Sequence, residues 1–173
     1  FVDTVIQEAA DEETISISII PFATQVSVGP DLMQYYDVTN EHDYSYCVNF
    51  DASDFEKTTM YPTGQTLKRT GHFDVQSYSK PLRNKYLTCP TDSSRHILAY
   101  ENDPDVIKAK INSMWAGGNT SIDIATKWGA TLLDPSTRSV IYDMIDDGLV
   151  HNDFSGRPYD YDEPEVMKVL IVM

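Results

Sequence analysis

Residues 31–95 constrain this chain more than any other part of it. Tyrosines recur there at 35, 36, 44, 46, 61, 78 and 86, and breakers recur at Pro62, Gly64, Gly71, Pro81 and Pro90, with no sustained hydrophobic period. A stretch this long is not a bare loop inside a compact domain. We read it as an insertion, a lobe of short strands and irregular structure set into a more regular framework. It holds both cysteines of the chain, Cys47 and Cys89, which do not form a C-x-x-C pair. Zinc and thioredoxin-type chemistry are therefore weakly indicated. A Cys47–Cys89 disulfide bracing the insertion is the reading we favour, with two free thiols as the alternative. A disulfide points to an oxidising compartment.

The flanking blocks are patterned. Residues 1–13 set Phe1, Val2, Val5, Ile6, Ala9 and Ala10 at helical spacing, with acids on the other face. Ile15, Ile17 and Ile19 alternate with Ser16 and Ser18, which predicts a strand over 14–20. Val26 and Val28 alternate again after Pro21, so the two runs predict an antiparallel hairpin at a sheet edge. His96–Tyr100 resumes a short strand.

Asp103-Pro104-Asp105 then opens a helix, with Asp103 as N-cap and Pro104 at the first position. Its expected buried face is Val106, Ile107, Ile111, Met114 and Trp115, and Gly117-Gly118 is expected to end it. A second helix is predicted over 121–133, with Ile122, Ala125, Trp128, Gly129, Leu132 and Leu133 on one face and Asp134-Pro135 as its stop. Ser136 is expected to cap a third helix through Ile145, ended by Gly148. Residues 149–165 read as an acidic loop, and the continuous apolar run Val166–Met173 as a buried parallel strand. Strands separated by helices give an α/β layered domain.

Lys and Arg number 13 against 27 Asp and Glu, a formal net charge of -14. Such a surface repels phosphate backbones and anionic lipid, which argues against nucleic acid and against membrane docking. No apolar run reaches the roughly 20 residues that span a bilayer. The chain starts at Phe1 and stops inside an apolar run. We therefore expect a piece of a longer protein, with any membrane segment lying outside it.

The best-marked candidate site is Gly117-Gly118-Asn119-Thr120-Ser121, a diglycine loop leading into a helix. Glycines let backbone approach a ligand, and a helix start favours anions. A Thr hydroxyl is also a hard oxygen ligand of the kind Mg²⁺ accepts. The plainer reading is a C-cap followed by an N-cap. Asn119-Thr120-Ser121 is a glycosylation sequon as well, but a position packed between two helices argues against that use.

Three blocks in order carry a family resemblance: Ile17–Gly29, Met114–Pro135 and Lys168–Met173. Together they resemble the von Willebrand factor A-type domain, and more narrowly the version in TadG-like proteins of the bacterial tight-adherence (Tad, or Flp) pilus system. The block 31–95 matches mainly by position and by its two cysteines. The resemblance implies a Rossmann-like layered sheet with helices on both faces, so that 1–173 is a partial A-type domain. It implies a non-enzymatic, protein-binding role in pilus assembly or adhesion, in the periplasm or at the cell surface.

It also implies a metal-ion-dependent adhesion site built from three loops. Thr120 matches the second loop. The first, Asp-x-Ser-x-Ser, is absent: Asp43–Cys47 and Asp51–Phe55 each lack the last Ser. The Asp of the third loop would follow Met173. Mg²⁺ is therefore expected only in a complete protein, and not tightly in this chain.

Weaker signals remain. Asp160, Asp162, Glu163 and Glu165, with Asp153, admit calcium, although a solvated acidic face is the plainer reading. His42, His72, His96 and His151 lack metal-ligand spacing. Ser77-Tyr78-Ser79-Lys80 fits Ser-x-x-Lys without the companion motifs of penicillin-binding enzymes. The tyrosine-rich block suits a protein-contact surface, or its tyrosines form that block's own small core. A metal-free structural subunit of a filament or envelope complex, using this block as its contact surface, is the second functional expectation. A hydrolase with a metal in the acidic loop is the third.

Overall fold

A computed structural model describes residues 2–7, 15–71 and 88–173. Helix α1 spans Val2–Gln7, within the predicted helix; the rest of that prediction, residue 1 and residues 8–13, lies outside the described residues. Strand β1 is Ile17–Ile19, helical turn α2 is Pro30–Met33, β2 is Val48–Asn49, β3 is Lys68–Arg69 and β4 is Leu98–Glu101. Three helices follow: α3, Pro104–Ser113; α4, Ile122–Leu133; and α5, Arg138–Asp146. The chain is thus a mixed α/β fold with one disulfide.

The sheets are smaller than expected. Among the described residues there are two two-stranded antiparallel sheets, β1–β4 and β2–β3, and no layered parallel sheet. The predicted hairpin is half realised. Phe22 does come opposite Val26 across a tight turn, but β1 takes β4 as its ladder partner. Ser27 instead bridges His96 in parallel. Register slips between Ile17 and Ile19. There Tyr100 adopts a left-handed conformation with φ 52°, and its N–H donates to Ser18 Oγ at 3.1 Å. A β-bulge of this kind re-aims a side chain: the Tyr100 phenol is buried and donates to the Leu132 carbonyl at 2.5 Å.

One core joins the tyrosine-rich block to the helices. Trp128 of α4 is 1% exposed and meets Tyr36 edge-on at 5.8 Å and Phe50 at 5.9 Å. Val26, Val28, Leu32, Val48, Met60 and Leu67 belong to the same cluster as Leu132, Val140, Ile141 and Phe154. The block therefore packs into the helical core and does not stand apart as a lobe. Its internal texture is as expected, with short strands, a 3-10 turn at Ala52–Glu56 and the Cys47–Cys89 disulfide, with both sulfurs buried.

The run Val166–Met173 departs most from the sequence reading. It forms no strand, and Val169, Ile171 and Val172 are about half exposed, at 57%, 52% and 48%. An apolar run is suited to burial but does not create its own partner. The described strands pair only with one another, β1 with β4 and β2 with β3, and this run joins neither sheet. Leu170 comes against α4, where Gly129 admits it: a Cβ there would lie 2.5 Å from Leu170 Cδ1. The Lys168 ammonium holds the segment by donating to the carbonyls of Leu133 and Tyr159, at 2.8 and 2.5 Å.

Candidate functional site

Helix α3 ends earlier than its glycines suggest. Met114 already has extended backbone, so residues 114–121 form an exposed loop and not a close packing between helices. Of the expected buried face only Ile107 is buried; Val106, Ile111 and Trp115 are exposed. The loop is pinned at the turn after β1. Asn119 N–H donates to Thr24 Oγ1 at 3.3 Å, Ser121 Oγ to the Thr24 carbonyl at 2.8 Å, and Ser121 N–H to the Ala23 carbonyl at 2.8 Å. Asn119 and Thr120 are exposed, so the packing argument against the sequon does not hold. Ile122, expected on the buried face of α4, is 50% exposed.

The bonds that pin the loop on either side of Thr120 run to the Thr24 hydroxyl and to the Ala23 and Thr24 carbonyls, all neutral oxygens. Mg²⁺ needs carboxylate charge beside such oxygens, so the residues present here do not by themselves fit a divalent cation. The acidic loop disperses its charge. Asp160 pairs with Arg138 at 2.8 Å, and Asp153 with His151 at 2.7 Å. Among the described residues no three His, Cys, Asp or Glu side chains come together as a metal site. His42 Nε2 lies 2.9 Å from the Thr70 carbonyl, and its ring stacks on Tyr44. His72 and Ser77–Lys80 lie outside the described residues.

A polar cluster that sequence reasoning missed sits at the end of α4. The buried Asp134 carboxylate accepts from Ser136 N–H at 2.9 Å, from Tyr161 Oη at 2.9 Å and from the Thr58 hydroxyl. Burial pushes this carboxyl up, but the hydrogen bonds outweigh it and hold the group below the usual aspartate range. Lys127, also buried, donates to the carbonyls of Lys57, Thr58 and Thr59 at 2.8, 3.4 and 3.2 Å. Burial pushes its ammonium pKa down. The available signal was Asp134-Pro135-Ser136, a capping pattern, together with a lysine on the apolar face of a predicted helix. Ser136 does not cap α5 as expected; the Asp134 side chain caps the intervening 3-10 turn Pro135–Thr137, and Ser136 Oγ accepts from Met60 N–H at 3.2 Å.

Beside this cluster lies an open groove lined by Phe55, Lys57, Thr58, Asp123, Thr126 and Ala130. The Lys127 amine at its wall already serves three carbonyls, so it is a fastener between the 57–59 segment and α4 and is not poised as a nucleophile. The remaining chemistry of the surface is aromatic. Tyr44, Phe55 and Tyr61 of the tyrosine-rich block are 46%, 41% and 57% exposed; Tyr78 and Tyr86 lie outside the described residues.

Comparison with known proteins adds no relative: no family model, no curated protein and no solved structure matches this chain.

Proposed function

We propose that this chain is a non-enzymatic protein-interaction domain of a bacterial cell-envelope protein, acting in pilus assembly or surface adhesion as its likeness to TadG-like A-type domains implies. The observation that carries this reading is a block of exposed aromatic residues, Tyr44, Phe55 and Tyr61, braced by the buried Cys47–Cys89 disulfide. Rigid aromatic side chains provide contact area at low entropic cost, and a disulfide of this kind persists in an oxidising compartment such as the periplasm or cell surface. The strong negative charge turns the surface toward protein partners and away from nucleic acid.

The metal-free version, a structural subunit that uses this block as its contact surface, is favoured by the neutral oxygens of Thr24 that hold the residues on either side of Thr120. In the full protein, further loops and Mg²⁺ belong to the A-type alternative.

The test is a photo-crosslinking amino acid placed at position 61 of the full protein in its native cells, with EDTA and Mg²⁺ arms. We expect adducts to envelope proteins, with Cys47 and Cys89 oxidised. Adducts lost in EDTA would favour the metal-bridged version. No adduct, or free thiols in the cell, would sink the envelope-interaction reading.

A further inference from the structure

Arg95 closes the 3-10 turn Ser93–Arg95 that leads into β4. It is 5% exposed, in a chain with a large excess of acids. Its guanidinium lies over the Trp115 ring, with Cζ 4.0 Å from the ring centroid. Trp115 itself is 58% exposed, so the indole is an outer wall and not part of the core. Arg95 Nε is buried and, among the described residues, donates to no acceptor. Among the described residues Arg95 forms no ion pair; those present engage Lys108, Arg138 and His151.

The nearest acid in sequence, Asp92, accepts from Ser94 N–H at 2.7 Å; it feels the Arg95 charge but forms no ion pair with it. A second cation comes to the same turn from α3, where Lys110 Nζ donates to the Ser93 carbonyl at 3.0 Å.

A guanidinium presents five N–H donors in a planar fork. The indole face stabilises its charge but accepts no in-plane hydrogen bonds, and an unmade bond at a buried charged donor is costly. The unused capacity of Arg95 is therefore in the plane of the fork, the direction from which carboxylates and phosphates bind it.

We propose that Arg95, where the Ser93–Arg95 turn meets Trp115, is the centre of an oxyanion-binding site. Arg95 is its hydrogen-bonding fork, Trp115 its aromatic wall and Lys110 its second positive charge. The ligand class is a carboxylate or phosphate group. Trp115 lies in the same loop as Thr120, but the site uses neither Thr120 nor the aromatic block of the proposed contact surface, and it stands or falls independently of that reading.

The test uses the full chain, ¹⁵N-labelled, with the arginine Nε–Hε and tryptophan indole resonances assigned through the backbone. Sodium acetate and inorganic phosphate are titrated separately against sodium chloride at equal ionic strength. We expect the Arg95 Nε–Hε and Trp115 indole signals to move saturably with an oxyanion and not with chloride. Saturation by acetate alone identifies a carboxylate site, and by phosphate alone a phosphate site. Trp115→Ala, at an exposed position, should keep the fold and weaken the apparent affinity at least about threefold. Signals that stay still or drift linearly with both oxyanions overturn the proposal. So does saturation confined to residues away from Arg95.

Discussion

At the scale of single residues, the strongest constraint is polar satisfaction in a small core. Asp134 is 3% exposed and ties three separate parts of the chain together through Thr58, Ser136 and Tyr161. Its carboxyl is held below the usual value of about 3.9. A folded-state pKa below the unfolded one means that this group stabilises the fold at neutral pH, and that the contribution disappears as pH falls through the carboxylate range. Asp134→Asn should therefore cost about 1–3 kcal/mol near pH 7, and the gap to wild type should narrow in acid. Urea unfolding at several pH values measures both; a gap independent of pH would remove the ionised carboxylate from the account. The role of Asp134 was hidden because its partners at 58 and 161 are distant in sequence. Only the local part of its work, bonding Ser136 N–H, is written in Asp-Pro-Ser.

At the scale of elements, the helices were the most legible. Asp103 accepts from the N–H groups of Asp105 and Val106 at 2.8 and 3.4 Å, as the Asp-Pro-Asp pattern predicts. Asp103→Ala should lower stability by about 1 kcal/mol, read as a shift of the urea midpoint at unchanged slope. An unchanged midpoint would mean that α3 frays there already. Helix α4 begins and ends within a residue of expectation because its apolar period and its stop are local signals. Its exposed counterpart is the face of α3, where spacing marks Val106, Ile111 and Trp115 as core and only Ile107 is buried. Periodicity says which residues share a face, but it does not supply the neighbouring element that covers it. The same limit explains Val166–Met173, an apolar run without a ladder partner among the described residues.

At the scale of the whole molecule, the disulfide is the longest covalent constraint. Cys47 and Cys89 are 42 residues apart, and a loop of that size restricts the unfolded chain by about 4 kcal/mol in the chain-entropy model. Replacing both with alanine should lower the unfolding free energy by about that amount in urea. A loss well under 1 kcal/mol would mean that the cross-link only decorates a block already held by Trp128 and its aromatic neighbours. The shared core of that block and the helices makes the larger effect the expected one, since loosening 47–89 also loosens the cover over α4.

What this sequence determined by itself is what near neighbours in the chain decide. The alternation over 15–19, the Asp103 cap of α3, the Asp134-Pro135 stop of α4, and the breaker-rich character of 31–95 all arise from contacts within a few residues. Tertiary structure alone decided that β1 pairs with β4, that the tyrosine-rich block shares the helices' core, that Thr120 stands in an exposed loop pinned to neutral oxygens, and that Arg95 is buried beneath an exposed indole. Each of these depends on which distant segment arrives alongside. That choice is settled by summing many weak contacts over the whole chain, and no short window of sequence contains the sum.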